Sequence, residues 1–163
     1  MNACFRDFAS RARRWALFAA LLLVATGVTA VPKLEDFTQA TWQQWLKELP
    51  RPAIVVFSTT YCPTCPQVFS DLADSVRKAG TGVPLITVVM DAEGQSDLPH
   101  LKHYRFADRI FVFRGPEAAL RFSVDPQWRG VTPYVALFRP EGAPRMFAGK
   151  PDAEALRAVL ERR

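Results

Sequence analysis

Polar and apolar positions change their period several times along the chain, and each change marks an element. Residues 36–49, DFTQATWQQWLKEL, place Phe37, Trp42, Trp45, Leu46 and Leu49 near helical spacing. That spacing predicts a first helix, capped by Asp36 or Thr38 and stopped by Pro50 and Pro52. Ala53 to Ser58 (AIVVFS) is instead a short β-branched run with no polar face, the pattern of a strand buried on both sides of a sheet. Helical spacing returns over Gln67 to Ala79, with Val68, Phe69, Leu72, Ala73 and Val76 on one face and Gly80 placed to end the helix. Pro84 to Met90 (PLITVVM) reads as a second buried strand, which completes a strand, helix, strand unit with an expected right-handed crossover.

The second half is less regular. Residues 91–107 are polar, and Ser96 to Tyr104 is expected as a short helix turning Leu98, Leu101 and Tyr104 inward. Arg109 to Arg114 (RIFVFR) predicts a strand and Pro116 to Val124 a helix opened by its proline. Tyr134 to Phe138 (YVALF) predicts a strand, Arg139 to Gly142 a turn, and Arg145 to Ala148 the returning strand of a hairpin. The chain closes with a helix over Asp152 to Arg162, Asp152 capping it and Leu156, Val159 and Leu160 facing inward. Together these predict one α/β domain over residues 31–163, a central mixed sheet flanked by helices. A strand and a helix are inserted in its middle.

The first thirty residues break this pattern. Arg6, Arg11, Arg13 and Arg14 precede an uncharged apolar run of 11 residues, Trp15 to Ala25, and Val28-Thr29-Ala30 offers small residues for cleavage. This is the anatomy of a secretory signal peptide over residues 1–30. An uncleaved membrane anchor is the alternative, although the run falls short of the ~20 residues that span a bilayer. The whole chain of 163 residues carries 21 basic and 16 acidic side chains, net +5. Without the leader the balance falls to 17 against 15, so the basic character is partly a targeting signal and nothing calls for nucleic acid. The third cysteine, Cys4, leaves with that segment, and Cys62 and Cys65 remain for a compartment in which disulfides persist.

Those two sit in TTYCPTCP, between a predicted strand and a predicted helix. At the mouth of a helix an accessible Cys62 meets unpaired backbone N–H groups and the positive end of the helix dipole, which favour thiolate. Cys65, three residues on, lies within bridging distance and can resolve a mixed disulfide formed on Cys62. Two other readings compete. His100 and His103 supply further metal ligands, but their distance along the chain does not fit a zinc-finger loop. A purely structural bridge closes so small a loop that it removes little entropy from the unfolded chain.

The ordered set of strand AIVVFS, Tyr61-Cys62-Pro63-Thr64-Cys65, a helix, and then Gly130-Val131-Thr132-Pro133 before strand YVALF resembles the thioredoxin superfamily over residues 35–162. The resemblance implies a thioredoxin-like fold in which a cis Pro133 faces the cysteine pair. It also implies that Tyr61, Pro63, Thr64, Thr132 and Pro133 line a groove for substrate. The inserted strand and helix, with the export signal, resemble TlpA-like exported thioredoxins. This implies a periplasmic or secreted thiol–disulfide oxidoreductase, acting more as a reductant, with protein thiol clients and a redox partner protein. No dissociable cofactor and no resident metal are implied, and membrane contact is only through the leader or an anchor. A copper or zinc chaperone or carrier, using the two thiolates as soft ligands, is the alternative on the same scaffold. The chain departs from the family's pattern at Tyr61, where tryptophan is usual, at Pro63-Thr64 in place of Gly-Pro, and at Val56, where thioredoxin has a buried acid. Asp91 and Glu93 are the candidates to replace that acid, and Trp128 is placed to border the proline loop. Arg105, Arg109, Arg114, Arg121 and Arg129 are expected on a solvated face.

Overall fold

The computed structural model describes residues 33–98, 102 and 104–161. The leader over 1–30, together with His100, Leu101 and His103, lies outside the described residues. The elements run β1 (Leu34–Phe37), α1 (Gln39–Glu48), β2 (Ala53–Ser58), α2 (Cys65–Ala79), β3 (Leu85–Val89), β4 (Arg109–Phe113), α3 (Glu117–Val124), β5 (Tyr134–Phe138), β6 (Arg145–Ala148) and α4 (Ala153–Leu160). The six strands form one mixed sheet in the order β1-β4-β3-β2-β5-β6. The first four are parallel to one another, while β5 runs antiparallel to both β2 and β6. Between β3 and the proline loop lie the strand and helix expected there, β4 and α3.

Strand periodicity divides the core into two layers. Ile54 and Val56 of β2, Leu85 and Val89 of β3, and Val135 and Leu137 of β5 pack with Phe69 and Leu72 of α2 and Leu156 and Val159 of α4. The alternate residues Val55, Phe57, Ile86, Val88, Tyr134 and Phe138 pack with Trp42 and Trp45 of α1 and Leu120 and Val124 of α3. Every residue of β2, β3 and β5 is buried, which is why their sequences carry no polar face.

One expectation is corrected. The first helix does not begin at Asp36: residues 34–37 are an edge strand whose backbone pairs with Ile110–Phe113. Phe37 mimics a helix-face residue because its buried ring meets Trp45 of the following helix edge-on at 5.2 Å, while stacking on Phe113 at 5.4 Å. Thr38 is the cap, its hydroxyl accepting the Thr41 N–H while the Thr41 hydroxyl accepts the Thr38 N–H. Of the short helix expected over Ser96 to Tyr104, Ser96 and Asp97 are irregular, Leu98 has 3-10 backbone, and residues 99–101 and 103 lie outside the described residues. Leu98, and Tyr104 in a turn, are both buried as expected.

Register places the chemistry. Phe57 pairs with Tyr134 and Ser58 with Val89, and the Met90 N–H continues the ladder to the Ser58 carbonyl at 2.9 Å. The loop that leaves β2, the segment that leaves β3 and the segment that enters β5 therefore emerge from the same end of the sheet.

Candidate functional site

Cys62 and Cys65 are joined by a disulfide, Cα to Cα 5.5 Å. Helix α2 begins at Cys65, two residues earlier than its apolar spacing indicates, and the proline inside its first turn is Pro66, not Pro63. Thr64 holds the N-cap position without a side-chain hydrogen bond to the helix. The Cys65 N–H donates instead to the Cys62 sulfur at 3.2 Å, and the Thr64 hydroxyl lies 3.8 Å from the same atom. Sulfur thus stands where a capping oxygen usually satisfies an orphan N–H. When that sulfur is a thiolate, the bond becomes charge-assisted and the helix dipole acts in the same direction.

The expectation of an accessible Cys62 needs correction. It is 7% exposed and Cys65 4%, because the Cys62 sulfur turns back toward the helix. The rim is open: Tyr61 is 78% exposed, and Pro63 and Thr64 are exposed beside it. On the segment that enters β5 at the same end of the sheet, the Thr132–Pro133 peptide bond is cis. Pro133 is buried, Thr132 half-buried and Val131 58% exposed. The Pro133 carbonyl is used within the fold, accepting the Gly149 N–H at 2.8 Å.

Asp91 has a different position from the one its charge suggested. Its two carboxylate oxygens accept the Thr60 N–H at 2.8 Å and the Thr60 hydroxyl at 2.6 Å, clamping the loop two residues before Cys62. Glu93 points elsewhere and pairs with Arg114 at 2.8 Å. Val56 is buried, and the neighbouring Thr87 hydroxyl donates to its carbonyl at 3.3 Å. A second polar contact lies behind the loop, where the buried Tyr104 hydroxyl meets the Ser58 hydroxyl at 3.2 Å. Burial pushes the Tyr104 hydroxyl up from its ordinary value against the pull of Ser58, so it stays protonated near neutrality. Neither the Asp91 clamp nor the Tyr104 contact carried a sequence signal beyond an acid following a strand.

Most of the arginines are spent on neighbours. Arg109 pairs with Glu35, Arg114 with Asp36 and Glu93, and Arg121 with Glu117 one helical turn away. Arg105 lies over the Phe106 ring, and Arg129 is exposed. Among the described residues no three His, Cys, Asp or Glu side chains gather as a metal site. None of the described helices is long and apolar enough to cross a membrane.

No protein-family model matches the sequence, and no curated protein does. Solved structures do. One is a thiol:disulfide interchange protein of the thioredoxin family from Chlorobium tepidum, 15% identical, with 77% of this chain and 86% of that one covered at a TM-score of 0.52. Another is a thio-disulfide isomerase from Thermus thermophilus, 22% identical, with 79% and 92% covered at a TM-score of 0.45. The likeness to the Chlorobium protein covers about three quarters of this chain, and the chain has a thioredoxin-like fold.

Proposed function

We propose that this protein is an exported thiol–disulfide oxidoreductase that reduces disulfides of protein clients. The observation that carries the reading is the Cys62 sulfur receiving the first N–H of α2, at the sheet end that also presents the cis Thr132–Pro133 segment. In the reduced protein the Cys62 thiolate attacks one sulfur of a client disulfide. A Cys62–client disulfide forms, and the client's other sulfur leaves as a thiolate that takes a proton from solvent. Cys65, as thiolate, then attacks the Cys62 sulfur and expels the second client thiolate. The client gains two electrons and two protons, and the protein is left with the Cys62–Cys65 disulfide. A dithiol partner protein restores it by the reverse exchange.

Export is supported by the basic, apolar and small-residue segments of residues 1–30. It places the protein in the periplasm or outside the cell. Cys65→Ser should accumulate mixed disulfides with client proteins, and Cys62→Ser should accumulate none. Failure of Cys65→Ser to trap any client in an oxidising compartment would falsify the exchange reading. The potential of the couple sets direction. A value more reducing than about −200 mV supports a reductant, and one near about −120 mV makes the protein an oxidant. Recovery of the exported protein with its N-terminus still at residue 1 would favour the anchor over the cleaved leader.

A further inference from the structure

Trp128 fills no site by itself, yet it is tied to both halves of the candidate one. Its indole is 5% exposed and meets the ring of Phe57, in the strand that leads to Cys62, at 5.1 Å. Its Nε1–H donates to the Val131 carbonyl at 2.9 Å. Its face stacks on Tyr134, centroids 4.6 Å apart and planes 7° from parallel. Val131 and Tyr134 flank the cis Thr132–Pro133 bond, so one side chain holds the residues on either side of it.

The brace is closed from behind. The Tyr134 hydroxyl donates to Asp125 Oδ2 at 2.5 Å, and Asp125 Oδ1 accepts the Gln127 N–H at 2.8 Å. The Asp125 carbonyl accepts the Trp128 N–H, and the Asp125 N–H donates to the Arg121 carbonyl at the end of α3. Burial and the Asp125 carboxylate both push the Tyr134 hydroxyl far above its ordinary value, so this donor persists into alkaline solution. At Gly130, φ is +84° and an added Cβ would come 3.0 Å from the Arg121 guanidinium. The loop therefore follows one path.

A buried tryptophan packed among aromatics could serve stability alone. The bond to Val131 sets this one apart. An extended client segment pairs with free main-chain groups at a sheet end, and the Trp128 indole removes the Val131 carbonyl from the groups on offer. What remains on offer at that sheet end is the backbone at Thr132, since the Gly149 N–H takes the Pro133 carbonyl. We propose that Trp128 and Tyr134, anchored by Asp125, are positioning residues that fix the Val131–Pro133 segment for main-chain pairing with an extended disulfide-bearing polypeptide. This inference rests on the exchange reading above.

The test compares two substrates of the full-length reduced protein: a disulfide-linked peptide, which uses the segment, and a small aromatic disulfide, which does not. Trp128→Phe keeps a ring on Tyr134 but loses the N–H, and Tyr134→Phe loses only the hydroxyl. Trp128→Phe should raise KM for the peptide about fivefold, the equivalent of ~1 kcal/mol for one neutral hydrogen bond, and Tyr134→Phe, whose lost bond is to the Asp125 carboxylate, at least about tenfold. The rate with the small disulfide and the Cys62–Cys65 potential should stay within about twofold and a few millivolts of wild type. Asp125→Asn, which retains an acceptor for the Tyr134 hydroxyl, should restore part of what Asp125→Ala loses. An unchanged peptide KM in both aromatic variants overturns the proposal. So does a parallel fall with both substrates, which marks a purely structural brace. Wild-type protein inert toward both disulfides would overturn the exchange reading itself, and the inference with it.

Discussion

Asp91→Ala removes both anchors of the loop that carries Cys62, and the structure sets the size of the loss. Thr60 donates its N–H at 2.8 Å and its hydroxyl at 2.6 Å to the Asp91 carboxylate. The loop keeps the Cys62 N–H to the Thr59 carbonyl at 3.3 Å and, beyond it, the Cys62–Cys65 disulfide. A desolvated hydrogen bond to a charged group is worth ~1.5–3 kcal/mol. Asp91 and Thr60 are both exposed, however, and water replaces what the mutation removes. A value of ~0.5–1 kcal/mol per bond is the better figure for exposed charged contacts. Asp91→Ala should therefore cost ~1–2 kcal/mol, a fall of about 3–10 °C in Tm for a domain of this size. Thr60→Ala, which loses the hydroxyl bond and keeps the N–H bond, should cost ~0.5–1 kcal/mol on the same scale. The double variant should be no less stable than Asp91→Ala, because the Thr60 hydroxyl then has no carboxylate left to lose. Urea unfolding of the oxidised protein, followed by tryptophan fluorescence, gives all four stabilities. Costs of the two single changes that simply add would refute the clamp.

Phe37→Ala should cost ~3–5 kcal/mol by calorimetry, since its buried ring touches Trp42, Trp45, Phe57 and Phe113; a loss under ~1 kcal/mol would contradict β1 as a core strand. Gly130→Ala should lower stability by ~1–2 kcal/mol, the cost of a Cβ at positive φ, and an unchanged urea midpoint would count against the loop path. The Asp71 carboxyl is held below its ordinary value of 3.8, first by the hydrogen bond from Lys150 and then by that from Gln67. Its contribution is present above 3.8 and lost as pH falls through the lower folded value. Because both side chains are partly exposed, the effect is within ~1 kcal/mol. Lys150→Ala should be less stable than wild type near neutrality, and the gap should close in acid; a gap that widens in acid would reverse the sign.

The strands and helices were legible wherever burial imposed a period. β2, β3 and β5 are buried on both faces, so their sequences are apolar runs, interrupted only by Thr87 and closed in β2 by Ser58, that follow prolines. Edge strand β1 was not legible. LEDF has only four residues, with Phe37 alone fully buried, and its pairing with β4 depends on a segment more than seventy residues away. The cysteine pair was legible because its chemistry depends on a local spacing of three and on a helix start. The Asp91 clamp reaches 31 residues back to Thr60. The Ser58–Tyr104 contact spans 46 residues. Long-range polar contacts leave no periodicity, and a side chain's charge alone does not name its partner.

Register joins the legible part of the site to the rest. β5 pairs with β2 so that Tyr134 faces Phe57, Ala136 faces Val55 and Phe138 faces Ala53. A slip of one residue would move the chain ~3.4 Å and turn each β5 side chain to the opposite face. Tyr134 and Phe138 would leave the aromatic layer beneath α1 and α3, while Val135 and Leu137 would leave the aliphatic layer beneath α2 and α4. The same slip would part Tyr134 from Trp128 and carry Pro133 along the strand relative to the loop that leaves β2. The two layers differ in size and shape, Trp42, Trp45 and Phe37 on one side against Leu72, Leu156 and Val159 on the other. That mismatch makes the slipped pairing costly. The emergence of the proline segment and the cysteine loop from one end of the sheet is thus enforced by the pairing of β5 with β2 and by the core layers behind it, and bulky exchanges in the aromatic layer should disturb client reactivity as well as stability.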